Sequence, residues 1–559
     1  MTGFALSEEQ ANAATADADH LVIVAPPGCG KTEVLAHRAV HLIDSLEKNQ
    51  RVLALTFTKR ARSNLEERLR AVLGQARTRR HIIVRNFHGF ATEVVLAHGR
   101  TIGLDMESIQ LPKTSTVRKA MGAAGGSGDV MNEAERMLSE IKRLPLSDAD
   151  VLNAIRQQPA GQARQLVEKV ECARQETNQL HYDDLLRHAQ CLLRIPAVAR
   201  LYQAHFGAVL VDEFQDLSMQ QLDLARLSCA TRQTYAGDPL QGIYSWAGAA
   251  PAEVEAEILK DCGQPIRLHE SYRSSPKVLQ TVNSIGEAID SGSSLVSAQP
   301  TRWVGGGCSA TLVLEDREEE ASVISDLTAK ILSCDPEASV GIISRAAWRR
   351  KEIDQAFATE TRFPVRRWEL AIEDPAVVAL IQSTVATLPR GASLGDARIA
   401  VLDSLDPADV DTREQIDDAF EVLEQSNAST ARAAVRSIRV SDPKQNIGPG
   451  VHLLNAHTGK GQQFDWVFVI GMEEGHLPGK RNSHGVALAE EERVLLVMLS
   501  RARQGLVVTR ARMAKGMYGP YAAKESRWWP LLRTEFTSVH EIEDRVAVWG
   551  QKLDRTSQV

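Results

Sequence analysis

Asp212 and Glu213 stand side by side at the end of the apolar run Ala208-Val209-Leu210-Val211, so a buried strand would deliver both carboxylates at its C-terminal edge. One carboxylate can hold Mg²⁺ while its neighbour orients a water. A second group with matching chemistry lies near the N-terminus. There Leu21-Val22-Ile23-Val24 predicts another buried strand, followed by Ala25-Pro26-Pro27-Gly28-Cys29-Gly30-Lys31-Thr32 and a helical pattern through Leu42. This is a phosphate-binding loop in strand–loop–helix context, with Ala25 where the general pattern has glycine. Gly28 and Gly30 let backbone N–H groups close around a triphosphate at a helix N-terminus. Lys31 reaches the outer phosphates, and the Thr32 hydroxyl takes a Mg²⁺ position beside Asp212. Glutamates are most often solvated or salt-bridged, but the place of Glu213 directly after a metal-type aspartate favours a catalytic role. The pair of motifs implies a chain that binds and hydrolyses a nucleoside triphosphate.

The elements that must position these residues recur in two sets of short Val/Ile/Leu-rich strands alternating with amphipathic helical stretches, the pattern of a parallel sheet with helices on both faces. The first set comprises the strand before the loop, Val52 to Thr56, Ile82 to Phe87, Phe206 to Asp212 and Thr234 to Gly237. The second comprises Ile266 to His269, Thr311 to Leu314, Val340 to Ser344, Val451 to Asn455, Trp466 to Ile470 and Leu506 to Thr509. Residues 91–180 and 375–445 read as helix without strand signal, the first around the loop Gly122 to Gly128 and the second rich in Ala, Asp and Glu. The fold class expected is therefore α/β, with two sheet domains each interrupted by a helical insertion. The first domain takes 1–90 and 181–264 with insertion 91–180; the second takes 265–374 and 446–559 with insertion 375–445.

With 559 residues the chain is too long for a single core. Its 43% hydrophobic and 25% charged content is ordinary for a soluble protein, and no apolar run reaches the ~20 residues of a membrane span. A cytoplasmic protein with no membrane partner is expected. The net charge of −7 gives no global attraction to nucleic acid, so any such binding needs a local basic, aromatic-lined groove. Phe57 and Phe87 leave their strands at the same edge as the phosphate loop, where their rings either stack on unpaired bases or pack in the core. Seven cysteines without a Cys-x-x-Cys pair exclude an evident zinc or iron–sulfur site, and Cys29 reads as a small loop filler.

Further segments, in order, resemble the motifs of the UvrD/Rep-like group of superfamily 1 DNA helicases over nearly the whole chain. They are Leu6-Ser7-Glu8-Glu9-Gln10, Ala54 to Arg60, Asn86-Phe87-His88-Gly89-Phe90, His181 to Leu186, Tyr235 to Ala247, Leu268 to Ser274, Asn455 to Phe464 and Glu490 to Ala502. The resemblance implies two RecA-like domains with ATP in the cleft between them. It makes Gln10 an adenine reader, sets Arg38 and Tyr272 on either side of the base, and gives Gln463 a contact to the nucleotide. Gln241, Arg273 and Arg501 then act on the γ-phosphate with Glu213. Tyr244 and Trp246 touch the DNA strand, joined by His88, His457, Lys460 and Tyr518. The chain departs from the family pattern at Ala247 (usually Arg), Ser271 (Asn), Gln463 (Glu) and Ser500 (Thr).

The function implied is an ATP- and Mg²⁺-dependent 3′–5′ helicase or translocase on single-stranded and tailed duplex DNA. Its compact size suggests DNA repair or phage defence beside a nuclease partner. The rival is a non-unwinding nucleic-acid-binding ATPase that regulates such a nuclease.

Overall fold

The computed structural model describes residues 6–57, 59–109, 114–126, 128–244, 249–358, 360–368, 370–372, 375–405, 430–436, 438–440, 447–516 and 519–556, with isolated positions between 413 and 423. Its first sheet is made of β1 (His20–Val24), β2 (Arg51–Thr56), β3 (Ile82–Asn86), β4 (Phe206–Asp212), β5 (Gln233–Gly237) and β6 (Ile266–Arg267). They lie in the order β3-β2-β4-β5-β1-β6, and all neighbours are parallel. Both faces are covered, which is why β4 and β5 are buried at every residue rather than alternating. One face packs Leu53, Leu55, Val209 and Val211; the other packs Val52, Ala54, Ala208 and Leu210.

A short pair, β7 (Glu270–Ser271) and β8 (Val296–Ser297), leads into the second sheet. This sheet contains β9 (Cys308–Leu314), β10 (Ser339–Ser344), β11 (Val365–Arg367), β14 (Gly450–Asn455), β15 (Phe464–Ile470) and β16 (Ala502–Ala511), while β12 (Leu370–Ile372) and β13 (Ile438–Val440) form a separate pair. The order is β11-β14-β10-β15-β16-β9, again all parallel. The α/β class with two doubly covered parallel sheets is thus as the sequence indicates.

Three details differ from the sequence reading. Ile266–Arg267 was expected in the second set but pairs with Ile23–Val24 at the edge of the first sheet, because parallel pairing is decided by a distant strand and not by local residues. Val365–Arg367 is a strand that its charged residues concealed. Ile438–Val440, inside a stretch read as purely helical, pairs with Leu370–Ile372.

Between β3 and β4 a set of helices builds its own core around Leu138, Ile155 and Val167; between β12 and β13 another does so around Ile381, Val401 and Phe420. The first set is riveted to the sheet domain by buried ions. Lys142 Nζ lies 2.8 Å from both Glu171 and Asp184, and Arg187 reaches Asp184 at 2.6 Å. Asp148, Asp184 and His188 cluster closely enough for a cation, but the chain's own lysine and arginines already neutralise Asp184. No helix among the described residues is long and apolar enough to cross a membrane.

Candidate functional site

Helix α1 (Glu8–Thr15) precedes β1, and the phosphate loop follows β1 and opens helix α2 (Lys31–Ile43). Gly28 (φ 87°) and Gly30 (φ 78°) adopt left-handed backbone conformations that side chains resist. A Cβ at Gly28 would approach Arg273 Cβ and Ser271 Oγ to 2.5 Å, and one at Gly30 would approach Gln10 Nε2 to 2.5 Å. The loop is clasped from both flanks. Gln10 Nε2 donates to the Cys29 carbonyl at 2.9 Å, and the Tyr272 N–H donates to the Gly28 carbonyl at 2.9 Å. Gln10 Oε1 meanwhile accepts the Ser7 N–H at 3.0 Å. Gly30 offers no side chain to cap the first turn of α2, which leaves N–H groups directed at the loop's interior, an anion site by geometry. Burial pushes the Cys29 thiol far up, in keeping with an inert filler.

Lys31 pairs with Asp212 Oδ1 at 3.1 Å and with Glu213. Glu213 holds a left-handed backbone (φ 56°, ψ 49°), a strained state for a side-chain-bearing residue that often marks a functional site. It turns the chain off β4 into the short turn Phe214–Asp216, while both carboxylates still meet at the Lys31 ammonium. Burial alone would raise the Glu213 carboxyl, but Lys31, Lys460 and a hydrogen bond from Gln215 outweigh it and hold the group at about 2. Asp212 is raised, first by burial, with Lys31 opposing.

Gln215 is the residue the sequence reading passed over. Fully buried, it donates from Nε2 to Glu213 Oε2 at 2.6 Å, and its Oε1 accepts the Asp238 N–H at 3.0 Å. Asp238 in turn accepts from Gln241 Nε2 at 2.8 Å, and Gln241 Oε1 accepts from Arg501 Nη2 at 3.2 Å. A hydrogen-bonded chain therefore runs from Glu213 across the cleft to Arg501 on the second sheet domain. The available signal is an amide next to Phe214 in the turn that follows an acidic strand end, since a buried amide must be bonded at both ends.

Arg273 and Arg501 face this chain. Arg501 is 1% exposed and spends its remaining donors on the Val497 carbonyl (2.8 Å) and the Ser500 hydroxyl (2.8 Å). Burial, and then the like charge of Arg273, lower it to about 9. Arg273 is lowered by burial to about 10, and its Nε and Nη1, both buried, find no partner among the described residues. Buried, unused donors on Arg273 beside a second, fully buried guanidinium require an anion, so the residues present fit a triphosphate bound at the loop. Thr32 at the start of α2 and Asp212 supply the oxygen donors that fit Mg²⁺. Tyr272 keeps 37% of its surface exposed beside the loop, with its hydroxyl 3.3 Å from Glu270. Gln463 is half-buried just before β15.

Arg38 is a correction. Its guanidinium is 1% exposed and saturated by the carbonyls of Ala16 (2.5 Å) and Ala18 (2.8 Å) and by Thr234 Oγ1 (3.3 Å). It ties the segment before β1 to β5 and presents no face to a base.

The aromatic candidates divide. Phe57 stacks on Tyr244 at 6.0 Å and 20°, and Tyr244 lies 6.3 Å from His457, so a line of rings crosses from the first sheet domain to the second. Phe87, by contrast, is 1% exposed within the first core: the packing alternative holds and the stacking one is withdrawn, because its helix turns it inward. His88 stacks on Tyr182 at 4.1 Å. Lys460 is likewise corrected. Its ammonium is held by both carboxylate oxygens of Asp216, at 2.7 and 2.8 Å, and sits 4.4 Å over the Tyr244 ring, so it bridges the two domains instead of standing ready for a phosphate. A second bridge, which the sequence did not suggest, is Arg493 Nε donating to the Gly242 carbonyl at 2.7 Å. Trp246 and Tyr518 lie outside the described residues, as does Ala247.

Comparison with known proteins agrees with this geometry. The profile of the UvrD/REP helicase N-terminal domain matches residues 6–258, and that of the UvrD-like helicase C-terminal domain matches 408–513. The chain is 26% identical to the ATP-dependent DNA helicase UvrD2 of Mycobacterium tuberculosis, over 94% of this chain and 81% of that protein. It is 24% identical to DNA helicase II of Escherichia coli, over 92% and 85%, and 24% identical to the putative ATP-dependent DNA helicase YjcD of Bacillus subtilis, over 96% and 82%. With both profiles in their family order, on two parallel sheets that flank a phosphate loop, the chain belongs to the UvrD/Rep-like superfamily 1 helicases.

Proposed function

We propose that this helicase is an ATP-driven motor that moves 3′ to 5′ on single-stranded DNA and displaces the complementary strand of a tailed duplex. The observation that carries the reading is Arg273, with buried donors left unbonded beside the phosphate loop, next to Arg501, which is linked through Gln241, Asp238 and Gln215 to Glu213. When bound, ATP and Mg²⁺ supply the phosphoanhydride to be cleaved and a divalent charge that offsets its phosphates. Gly28, Gly30 and Lys31 hold the phosphates, and Thr32 and Asp212 hold the metal. Glu213 accepts a proton from water, the guanidiniums of Arg273 and Arg501 offset charge that develops in the transition state, and Tyr272 covers the base. Gln241 and Tyr244 share one short loop, so a change at Arg501 reaches the ring line that receives the DNA. The 3′–5′ direction rests on the family resemblance, as does a role in DNA repair.

Tailed duplexes test this directly. ATP-dependent displacement is expected from a 3′-tailed duplex, with little from 5′-tailed or blunt ones, and Lys31→Ala should abolish it. DNA-stimulated hydrolysis with neither displacement nor removal of a protein block from single-stranded DNA would replace the motor with the regulatory ATPase, and a partner nuclease would become the activity to assay.

A further inference from the structure

Trp348 is the largest aromatic side chain left in solvent among the described residues, with 58% of its surface exposed. A single exposed apolar residue is ordinary, so its surroundings have to decide. Trp348 sits on the short turn Ala347–Arg350 that leaves the C-terminal end of β10. One side of the indole meets the His476 ring at 5.1 Å and 83°, and the Arg317 guanidinium lies 5.7 Å from the indole centroid. The ring is therefore oriented by neighbours yet still open on a large part of its surface.

Its position continues a line already described. β10 pairs with β14 along its whole length, so the turns that follow the two strands are adjacent at the same sheet edge. The β14 turn carries His457. Arg345, three residues before Trp348, ion-pairs with Glu491 at 2.7 Å and brings Nη1 to 3.4 Å from His457 Nε2. Phe57, Tyr244 and His457 thus lead to Arg345, three residues before Trp348 on the turn after β10, and the Arg317 guanidinium lies at the indole itself. The chain as a whole carries −7, so an exposed indole with the Arg317 guanidinium beside it locally offsets a surface that repels phosphate. Flat, exposed rings flanked by cations suit unpaired bases of any sequence.

We infer that Trp348 is a base-stacking platform for single-stranded DNA, extending the Phe57–Tyr244–His457 line across the edge of the second sheet. The inference rests on the DNA-motor reading and adds a contact to it. Stacking on one aromatic side chain changes affinity by about five- to a hundredfold.

The test is equilibrium binding of fluorescent oligothymidylates of increasing length to the full chain and to Trp348→Ala, Trp348→Phe and Tyr244→Ala. Trp348→Ala should bind long oligonucleotides about tenfold more weakly while binding unchanged those too short to span both ring groups. Trp348→Phe should recover most of the loss. Because stacking releases no counterions, the dependence of affinity on salt should keep the wild-type slope, whereas a lost phosphate contact would flatten it. Equal affinity of Trp348→Ala and wild type at every length, with Tyr244→Ala weakened, would overturn the inference and leave the motor reading intact; the face would then suit a protein partner. A loss of equal size at all lengths would overturn it too, since a general defect produces that pattern. Absence of DNA binding by the wild-type chain would remove the motor reading and this inference together.

Discussion

On the phosphate-loop wall of the cleft Lys31, Glu213 and Asp238 are answered within a few ångströms, whereas on the opposing wall Arg273 keeps buried donors that meet no partner among the described residues. Lys31 is balanced by Asp212 and Glu213, Glu213 by Gln215, and Asp238 by Gln241. Burial instead lowers both Arg273 and Arg501, and each also meets a like charge, Arg503 for the first and Arg273 for the second. The difference shows how labour is divided. The satisfied wall is held by its own partners before nucleotide arrives, with Gln215 fixing Glu213, so it can present that carboxylate to a water in a set relation. The unsatisfied wall lowers its free energy when an anion arrives, so closure of the cleft becomes conditional on a phosphate.

The largest effect expected from breaking the satisfied wall is at its catalytic group. Glu213→Gln should keep nucleotide and DNA binding and lose about 10²–10⁴-fold in turnover, read by steady-state hydrolysis alongside filter binding. Near-normal turnover would move the proton acceptor elsewhere. Gln215→Ala should leave the carboxylate in place but unoriented and cost about 10–10²-fold in kcat with little change in KM; a change confined to KM would make Gln215 part of nucleotide binding instead.

The unsatisfied wall predicts a gain. Arg273→Met removes a guanidinium whose buried Nε and Nη1 meet no partner among the described residues, so the nucleotide-free protein should become more stable by about 1–3 kcal/mol. The rise in thermal midpoint produced by a non-hydrolysable ATP analogue should shrink at the same time. Loss of stability in that variant would show that Arg273 has partners in solution. The smallest expected effect is a pH limb. Burial, only partly offset by Lys460, raises Asp216 to about 6. The folded state therefore binds this proton more tightly than the unfolded chain does, and the destabilisation from Asp216 is absent at low pH and complete above about 6. Protonation also weakens its bridge to Lys460, so DNA-stimulated hydrolysis should fall a few-fold as pH drops through about 6. The limb should be missing in Asp216→Asn. Glu213, held at about 2, cannot produce it.

The sequence disclosed most where function is local. Strand, glycine-rich turn and helix lie within one continuous segment at Leu21 to Leu42, and the adjacent Asp212 and Glu213 need only a strand end to make sense. It disclosed least where a side chain's fate depends on distant partners. Arg38 reads like a nucleotide contact until Thr234, almost two hundred positions away, and two carbonyls before β1 are seen to absorb its donors. Phe57 and Phe87 follow neighbouring parallel strands, yet one ring reaches Tyr244 and the other the core, because that choice is set by the helix each strand enters. Lys460 could not be placed without Asp216. Ile266–Arg267 has no internal mark of which sheet it will join.

That last strand carries a mechanical consequence. The chain is pinned to the first sheet at Ile266–Arg267 and to the second at Ser274 and Ser275, which bond the carbonyls of Ala502, Arg503 and Gln504. The covalent connection between the two sheet domains is the short run in between, and it contains Tyr272 and Arg273. Fulcrum and trigger are then the same piece of backbone. Torque between the domains is felt first where the nucleotide is gripped, and a longer connector spliced in at this point would leave each lobe able to fold while slackening the lever that joins them.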